Sequence, residues 1–190
     1  MRILLIDNGT TFLEKLKILI PGEEIILRPE SISPNLSLEF DLIILSGSRD
    51  HTAKYDGSYF KNEIELIQNS NIPLIGICLG CELIAIAFDG TLKRMDERHS
   101  GIRNIHLMSS VYLDSKEIEV FESHRWIIDD LPKDFRILAT SSDGPEMIRH
   151  NSRPIWGLQF HPENFVDMTK GDEIFNTILS EISTFQKSGI

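Results

Sequence analysis

Two short stretches of this chain carry residues that can do chemistry. The first is Leu74-Ile-Gly76-Ile-Cys78-Leu79-Gly80-Cys81-Glu82, an apolar run that ends at a cysteine set between two glycines. A buried strand over 74–77 followed at once by a helix puts Cys78 at the turn between them. So tight a turn forces its middle residue into a strained backbone conformation, and the flanking glycines leave room for the close approach. The cysteine then stands at a helix N-terminus, where unpaired N–H groups and the helix dipole favour a thiolate. The second stretch is Gly157-Leu-Gln-Phe-His161-Pro-Glu163. Residues two apart in an extended segment share a side, so His161 and Glu163 face together, and Pro162 stiffens the segment between them. A carboxylate beside an imidazole fixes its tautomer and steadies its positive charge, which with Cys78 makes a nucleophile, base and orienter. Taken singly, the residues leave other readings open. Cys78 also reads as a small buried hydrophobe, or with Cys81 as a C-x-x-C redox pair. A zinc site would need a second ligand pair, so no metal is expected. His161 and Glu163 alone read equally as a surface pair at a strand end.

The elements that must position these groups follow from the apolar pattern. Arg2–Ile6 and Asp41–Leu45 are continuous apolar runs, the mark of strands covered on both faces. The spacing predicts a helix through Phe12, Leu16 and Leu19 that Pro21-Gly22 stops, and a strand over Glu24–Arg28. Pro29–Ser37 reads as loop, and residues 59–68 as a helix with Phe60, Ile64 and Ile67 inward. Strand and helix thus alternate four times in the first half, which implies a parallel sheet with helices on both faces. Ligands of such sheets sit beyond the carboxyl ends of the strands, where both Cys78 and the polar Ser46-Gly47-Ser48-Arg49-Asp50 loop lie. The second half reads as short strands with turns between them: Thr91–Arg94, Asn104–Met108, Val111–Leu113, Glu117–Phe121, Arg136–Thr140 and Glu146–His150. They form an antiparallel extension of the sheet, before a strand over 154–160 and a last helix over 172–185 with Ile174, Ile178, Ile182 and Phe185 on one face.

The fold class expected is therefore α/β, a central mostly parallel sheet flanked by helices with an antiparallel extension. The 190 residues form one domain, 1–190, long enough for a full core. A net charge of −10 argues against a nucleic-acid or anionic-membrane surface. Two cysteines are no secreted disulfide framework, so a cytoplasmic setting with reduced thiols is expected. The opening Met-Arg-Ile-Leu-Leu-Ile-Asp7 is too short an apolar run for a signal peptide. The longest apolar run, Leu74–Phe88, holds Glu82 and is too short to span a bilayer.

Gly76-Ile-Cys78-Leu-Gly80, with Gly157-Leu-Gln-Phe-His161-Pro-Glu163 at the interval observed, resembles the class I glutamine amidotransferases. The likeness runs through nearly the whole chain, by way of Asp7-Asn8-Gly9, Leu45-Ser46-Gly47 and Ile148-Arg149-His150. It implies a flavodoxin-like fold, glutamine as substrate and no cofactor. It implies that Cys78 attacks the side-chain carboxamide, that His161 moves the proton and that Glu163 orients His161. It also implies an oxyanion site made by the Leu79 N–H and the loop holding Gly47 and Ser48. Two positions depart from the family's pattern. Ser48-Arg49 stands where a second glycine and then proline are usual, and the serine Cβ resists φ > 0. Glu82 stands where relatives carry a substrate-holding glutamine, and a charged acid there would repel a carboxylate. Ser123-His124-Arg125-Trp126 resembles the segment lining the substrate site in the GMP synthase branch, while Asp143-Gly144 and Ile148-Arg149-His150 are similar to the anthranilate and aminodeoxychorismate synthase branch. His124 itself reads equally as a polar loop histidine; His51, His99 and His106 read as solvated or structural. The resemblance implies a glutaminase subunit that docks on an ammonia-consuming synthase, GMP synthase first and anthranilate synthase second. A stand-alone γ-glutamyl hydrolase, favoured by Glu82 and Ser48, and a non-catalytic regulatory relative are the alternatives.

Overall fold

A computed structural model of the chain describes residues 1–33, 36–54 and 56–187. The first half holds β1 (Arg2–Ile6), α1 (Leu13–Leu19), β2 (Glu23–Leu27), β3 (Leu42–Leu45), α2 (Lys61–Asn69), β4 (Leu74–Ile77) and α3 (Leu79–Ala87). The second holds β5 (Leu92–Leu107), β6 (Glu117–Ile128), β7 (Phe135–Thr140), β8 (Pro145–His150), β9 (Ile155–Leu158) and α4 (Gly171–Lys187). All nine strands join one sheet in the order β2-β1-β3-β4-β9-β8-β7-β5-β6. The pairings from β2 to β9 are parallel and those from β9 to β6 antiparallel, as the pattern predicts.

The inner parallel strands, β1 from Ile3 on, β3, β4 and β9, are apolar because both of their faces are covered, while the edge strand β2 begins Glu23-Glu24 and stays largely exposed. Ile3, Leu5, Ile44, Ile75 and Ile77 alternate onto one face, against Leu16 of α1 and Ile174, Ile178 and Ile182 of α4. Leu4, Ile6, Ile43, Leu45 and Leu74 take the other, against Leu66 and Ile67 of α2 and Leu83 and Ile84 of α3. Each side chain so buried contributes about 2 kcal/mol. α3 lies under almost complete cover, so its burial is not confined to the stripe of Leu83, Ile84, Ala87 and Phe88. The Phe185 side chain and the residues Pro34 and Asn35 of the 29–37 loop lie outside the described residues. Between β2 and β3 the chain makes only short 3-10 turns, Pro29–Ser31 and Leu36–Glu39, so four strands alternate with three helices.

The antiparallel half differs from its pattern. Thr91–Arg94 and Asn104–Met108 are the two ends of one strand, β5, with a bulge between Arg94 and His99. Glu117–Phe121 is only the start of β6, which carries on through Ser123 and His124. Val111–Leu113 is turn, not strand. The polar run Met95–Arg103 shows no apolar alternation because much of it faces solvent; the ladder from His99 on and the side-chain bonds of Arg98 and Arg103 hold it. The far strand then folds back over the site. The Phe121 carbonyl accepts the His161 N–H at 2.8 Å, and the Glu119 carbonyl accepts the Lys170 N–H at 2.8 Å. That closure brings β6 from the sheet's edge to the carboxyl end of β4. Among the described residues, no helix is long and apolar enough to cross a membrane.

Candidate active site

Cys78 sits at φ 51°, ψ −104°, the strained elbow that the glycine spacing predicts. Its N–H still bonds the Leu158 carbonyl of β9 at 2.7 Å, so the strand ends at this residue and α3 starts at the next. The glycines are steric requirements. A Cβ on Gly76 would lie 2.4 Å from the Gly80 carbonyl oxygen, and a Cβ on Gly80 would lie 2.5 Å from the Leu45 carbonyl oxygen. Strand, turn and helix are therefore stacked backbone to backbone.

Gly47 lies between Cys78 and His161. A Cβ placed there would meet His161 Cε1 at 2.9 Å and Cys78 Cβ at 3.4 Å, so the imidazole and the cysteine close on the same point from two sides. The loop that carries Gly47 is held by the Asp7-Asn8-Gly9 turn. Ser46 Oγ accepts the Asn8 N–H at 2.9 Å, Asn8 Nδ2 donates to the Ser46 carbonyl at 3.1 Å, and the Arg49 N–H reaches the Gly9 carbonyl at 3.1 Å. Ser48 is not among the positive-φ residues, so its Cβ strains nothing. The Leu79 N–H lies close enough to the Cys78 sulfur to act on its titration.

His161 Nδ1 lies 2.8 Å from Glu163 Oε1. A carboxylate only accepts, so the pair fixes the proton on Nδ1 and leaves a lone pair on Nε2. The Phe12 ring packs edge-on against the imidazole at 5.1 Å. Cys78, His161 and Glu163 are all buried. Burial, followed by the Glu82 and Glu163 carboxyls, pushes the Cys78 thiol well above its usual range. The Leu79 N–H opposes this without prevailing. The thiolate expected from the helix N-terminus alone is thus corrected: at rest the group is a neutral thiol, because desolvation above all outweighs one dipole.

Glu82 is buried and shares a cavity of about 360 Å³ with Cys78, Leu79, Ser48, Ser123 and His124. Burial raises its carboxyl to about 8, against the pull of the neighbouring Gln159 side chain. At neutral pH Glu82 is therefore mostly a neutral acid, with one donor and one acceptor, close in hydrogen-bonding character to a glutamine. The repulsion of a carboxylate expected from a charged Glu82 does not arise under those conditions. Cys81 faces away from this cavity: its sulfur packs where a Gly157 Cβ would stand, 2.6 Å off, and it belongs to the opposite face's core. Cys78 and Cys81 pack into the clusters on opposite faces of the sheet, which weighs against a Cys78–Cys81 redox pair.

His124 is no loop residue. It is buried on β6, where its Nδ1 lies 3.1 Å from the Trp126 carbonyl and its Nε2 lies 3.1 Å from Glu122 Oε2. Glu146 of β8 joins the cluster, with ligand atoms of all three within 4.8 Å of one another. Burial and the adjacent Glu122 raise Glu146 to about 9, Ser141 Oγ donates to it at 2.5 Å, and the Arg103 guanidinium lies 3.6 Å from Glu122. Protons and one arginine thus balance these acids, and the network ties β6 to β8 and β5. His51 also lines the Cys78 cavity, stacked on Tyr59 at 4.6 Å, while His106 is an exposed partner of Glu117. Sequence spacing gave no sign of Glu122, Glu146, Arg98 or Arg103, since they reach the site through strand pairings far apart in the chain.

The family model described as glutamine amidotransferase class-I matches residues 4–180. A subunit of the glutamine-hydrolyzing GMP synthase of Methanocaldococcus jannaschii is 30% identical over 178 residues, covering 85% of this chain and 87% of that protein. The corresponding subunit from Thermococcus kodakarensis is 30% identical over 169 residues, covering 85% and 88%. Among solved structures, a candidate GMP synthase subunit from Thermoplasma acidophilum superposes with a TM-score of 0.86 at 26% identity, over 98% of this chain and 96% of that one. A glutamine amidotransferase from Thermotoga maritima, at 21% identity and a TM-score of 0.72, shares the fold over 98% of this chain and 85% of that one.

Proposed function

The chain belongs to the class I glutamine amidotransferase family, and on that premise we propose that it is the glutaminase subunit of a two-chain GMP synthase, acting in the cytoplasm as one domain over 1–190. Cys78 Sγ attacks the side-chain carbonyl carbon of glutamine as its proton passes to His161 Nε2, with Glu163 steadying the imidazolium. Proton transfer and attack are coupled, because the buried thiol does not ionise by itself. The negative oxygen of the tetrahedral intermediate meets the Leu79 N–H and an N–H of the Gly47–Ser48 loop. The intermediate collapses, His161 returns the proton to the departing ammonia, and a γ-glutamyl thioester remains on Cys78. Water, deprotonated by His161, hydrolyses it to glutamate. Ser123 and His124 line the substrate side, and the neutral Glu82 offers the donor and acceptor that a glutamine would.

The observation that carries this reading is the convergence of the strained Cys78 and the Glu163-paired His161 on the single Cβ-free point at Gly47. The two features that favoured a stand-alone γ-glutamyl hydrolase weigh less: Ser48 is unstrained and Glu82 is largely neutral. The GMP synthase subunits among the relatives favour that partner over anthranilate synthase. The test is ammonia release from glutamine by wild type and Cys78→Ser, alone and mixed with the ATP-dependent subunit of GMP synthase. Release that needs Cys78 and rises with that partner is expected. Full turnover by the isolated chain, indifferent to the partner, would make it a hydrolase.

A further inference from the structure

The Cys78 cavity is positive in a chain whose net charge is −10. Arg49, Arg98 and Arg125 line it, and its single acid is the largely neutral Glu82. A smaller hollow of about 150 Å³ holds His161 and shares four lining residues with the first: Ser48, Arg49, Arg98 and Ser123. Those four stand where a substrate touching both Cys78 and His161 must pass. Both arginines among them are exposed, and they differ in their partners. Arg49 lies 3.8 Å from its neighbour Asp50. Arg98 donates from Nη2 to Ser123 Oγ at 2.9 Å, and the Ser123 carbonyl lies 4.0 Å from Cys78 Sγ. One residue thus tethers the guanidinium beside the nucleophile. Among the described residues no acidic group pairs with Arg98.

We propose that Arg98 is the specificity residue that seats the α-carboxylate of the amino-acid substrate, held in place by Ser123 Oγ. The inference rests on the glutaminase reading and adds what that reading leaves open, which group recognises the far end of glutamine. A guanidinium presents five N–H donors in a fixed fork, so one bond to Ser123 leaves donors for a two-pronged contact with a carboxylate. With the side-chain amide at Cys78, the α-carboxylate is displaced from the sulfur by the length of the substrate's own side chain, toward the rim that Arg98 occupies. Arg98 stands within the β5 bulge between Arg94 and His99, where the strand's register shifts. A lysine would supply the charge without the fork.

The experiment compares glutamine with glutamine α-methyl ester, which keeps the side-chain amide and lacks the carboxylate. Ammonia release is measured with the synthase subunit present, for wild type, Arg98→Met, Arg98→Lys and the control Arg94→Met, an exposed residue outside both hollows. Arg98→Met should raise KM for glutamine by about tenfold to a hundredfold, the worth of a charge-assisted hydrogen bond. It should leave kcat and the ester's KM within about twofold. Arg98→Lys should recover part of the loss, and Arg94→Met should change nothing. Equal effects of Arg98→Met on both substrates, or none on glutamine, overturn the proposal while leaving the glutaminase reading intact. A wild type that releases no ammonia from glutamine overturns both.

Discussion

The two halves of the sheet share one apolar core and contribute different things. The parallel half, β2-β1-β3-β4-β9, is apolar on both faces inside its exposed edge strand β2 and stacks Gly76, Gly80 and Leu45 backbone to backbone. It sets the position of Cys78 and, through the segment after β9, of His161 and Glu163. The antiparallel half, β8-β7-β5-β6, sends Ile105, Leu107, Ile118, Val120 and Met147 into that core and adds a buried polar cluster, Glu122, His124 and Glu146, with the half-buried Arg103 beside it. It lines the Cys78 cavity with Ser123, His124 and Arg98. The difference teaches a division of labour. Close packing gives the reacting atoms one geometry, because a packed interior has no neighbouring minimum to slip into. A hairpin held by a ladder and a polar network can change its exposed residues without disturbing that geometry.

The comparison can be broken or sharpened by four measurements. The largest effect belongs to the reacting atoms: His161→Ala should lower the rate of ammonia release by about 10³-fold, the upper part of the range for general-base catalysis. If the loss is instead a rise in KM at constant kcat, the parallel half does not position the base. Next comes packing. Gly76→Ala forces a Cβ to within 2.4 Å of the Gly80 carbonyl oxygen, and urea unfolding should show a loss of about 3 kcal/mol. A loss below about 0.5 kcal/mol would mean that the elbow relaxes freely.

Third is charge. Glu146 is held at about 9, and Glu63 and Glu82 at about 8, against 4.5 when exposed. A folded-state pKa above the unfolded one means that the folded chain keeps its proton longer. Stability from these groups is therefore complete below about pH 4.5 and drains away as the pH rises toward 8 and 9. The melting temperature should fall across that window. Glu146→Gln should make the fall shallower, above all at its alkaline end, and an unchanged slope would show that Glu146 is not neutral at pH 7. The smallest effect is expected at Glu82. Glu82→Gln should keep kcat/KM at pH 7 within about threefold of wild type, because one neutral donor–acceptor group replaces another. Above pH 8 the wild type should lose affinity for glutamine as Glu82 ionises, and the glutamine variant should not. Identical pH profiles for the two would remove Glu82 from the substrate's surroundings.

Much of this was legible in the chain because it depends on neighbours in sequence. Gly76-x-Cys78-x-Gly80 fixes a strand–turn–helix elbow by local sterics, and the unbroken apolar runs of β1, β3 and β4 announce strands covered on both sides. His161 and Glu163 pair because two residues apart in an extended segment is a local relation. Charge state was not legible. Whether Cys78 is a thiolate, whether Glu82 repels a carboxylate and whether His124 is a solvated loop residue all turn on burial and on partners contributed by other strands. Desolvation raised Cys78 and Glu82, and the fold-back of β6 onto the segment after β9 buried His124. The same closure set Ser123 beside Cys78 and Arg98 above it. The sequence by itself determined the Cys78 elbow and the His161–Glu163 pair proposed as nucleophile and base, since periodicity and excluded volume act over a few residues. Tertiary structure decided the protonation of the site and the residues that line its cavity, since dielectric and long-range strand pairing are properties of the assembled fold.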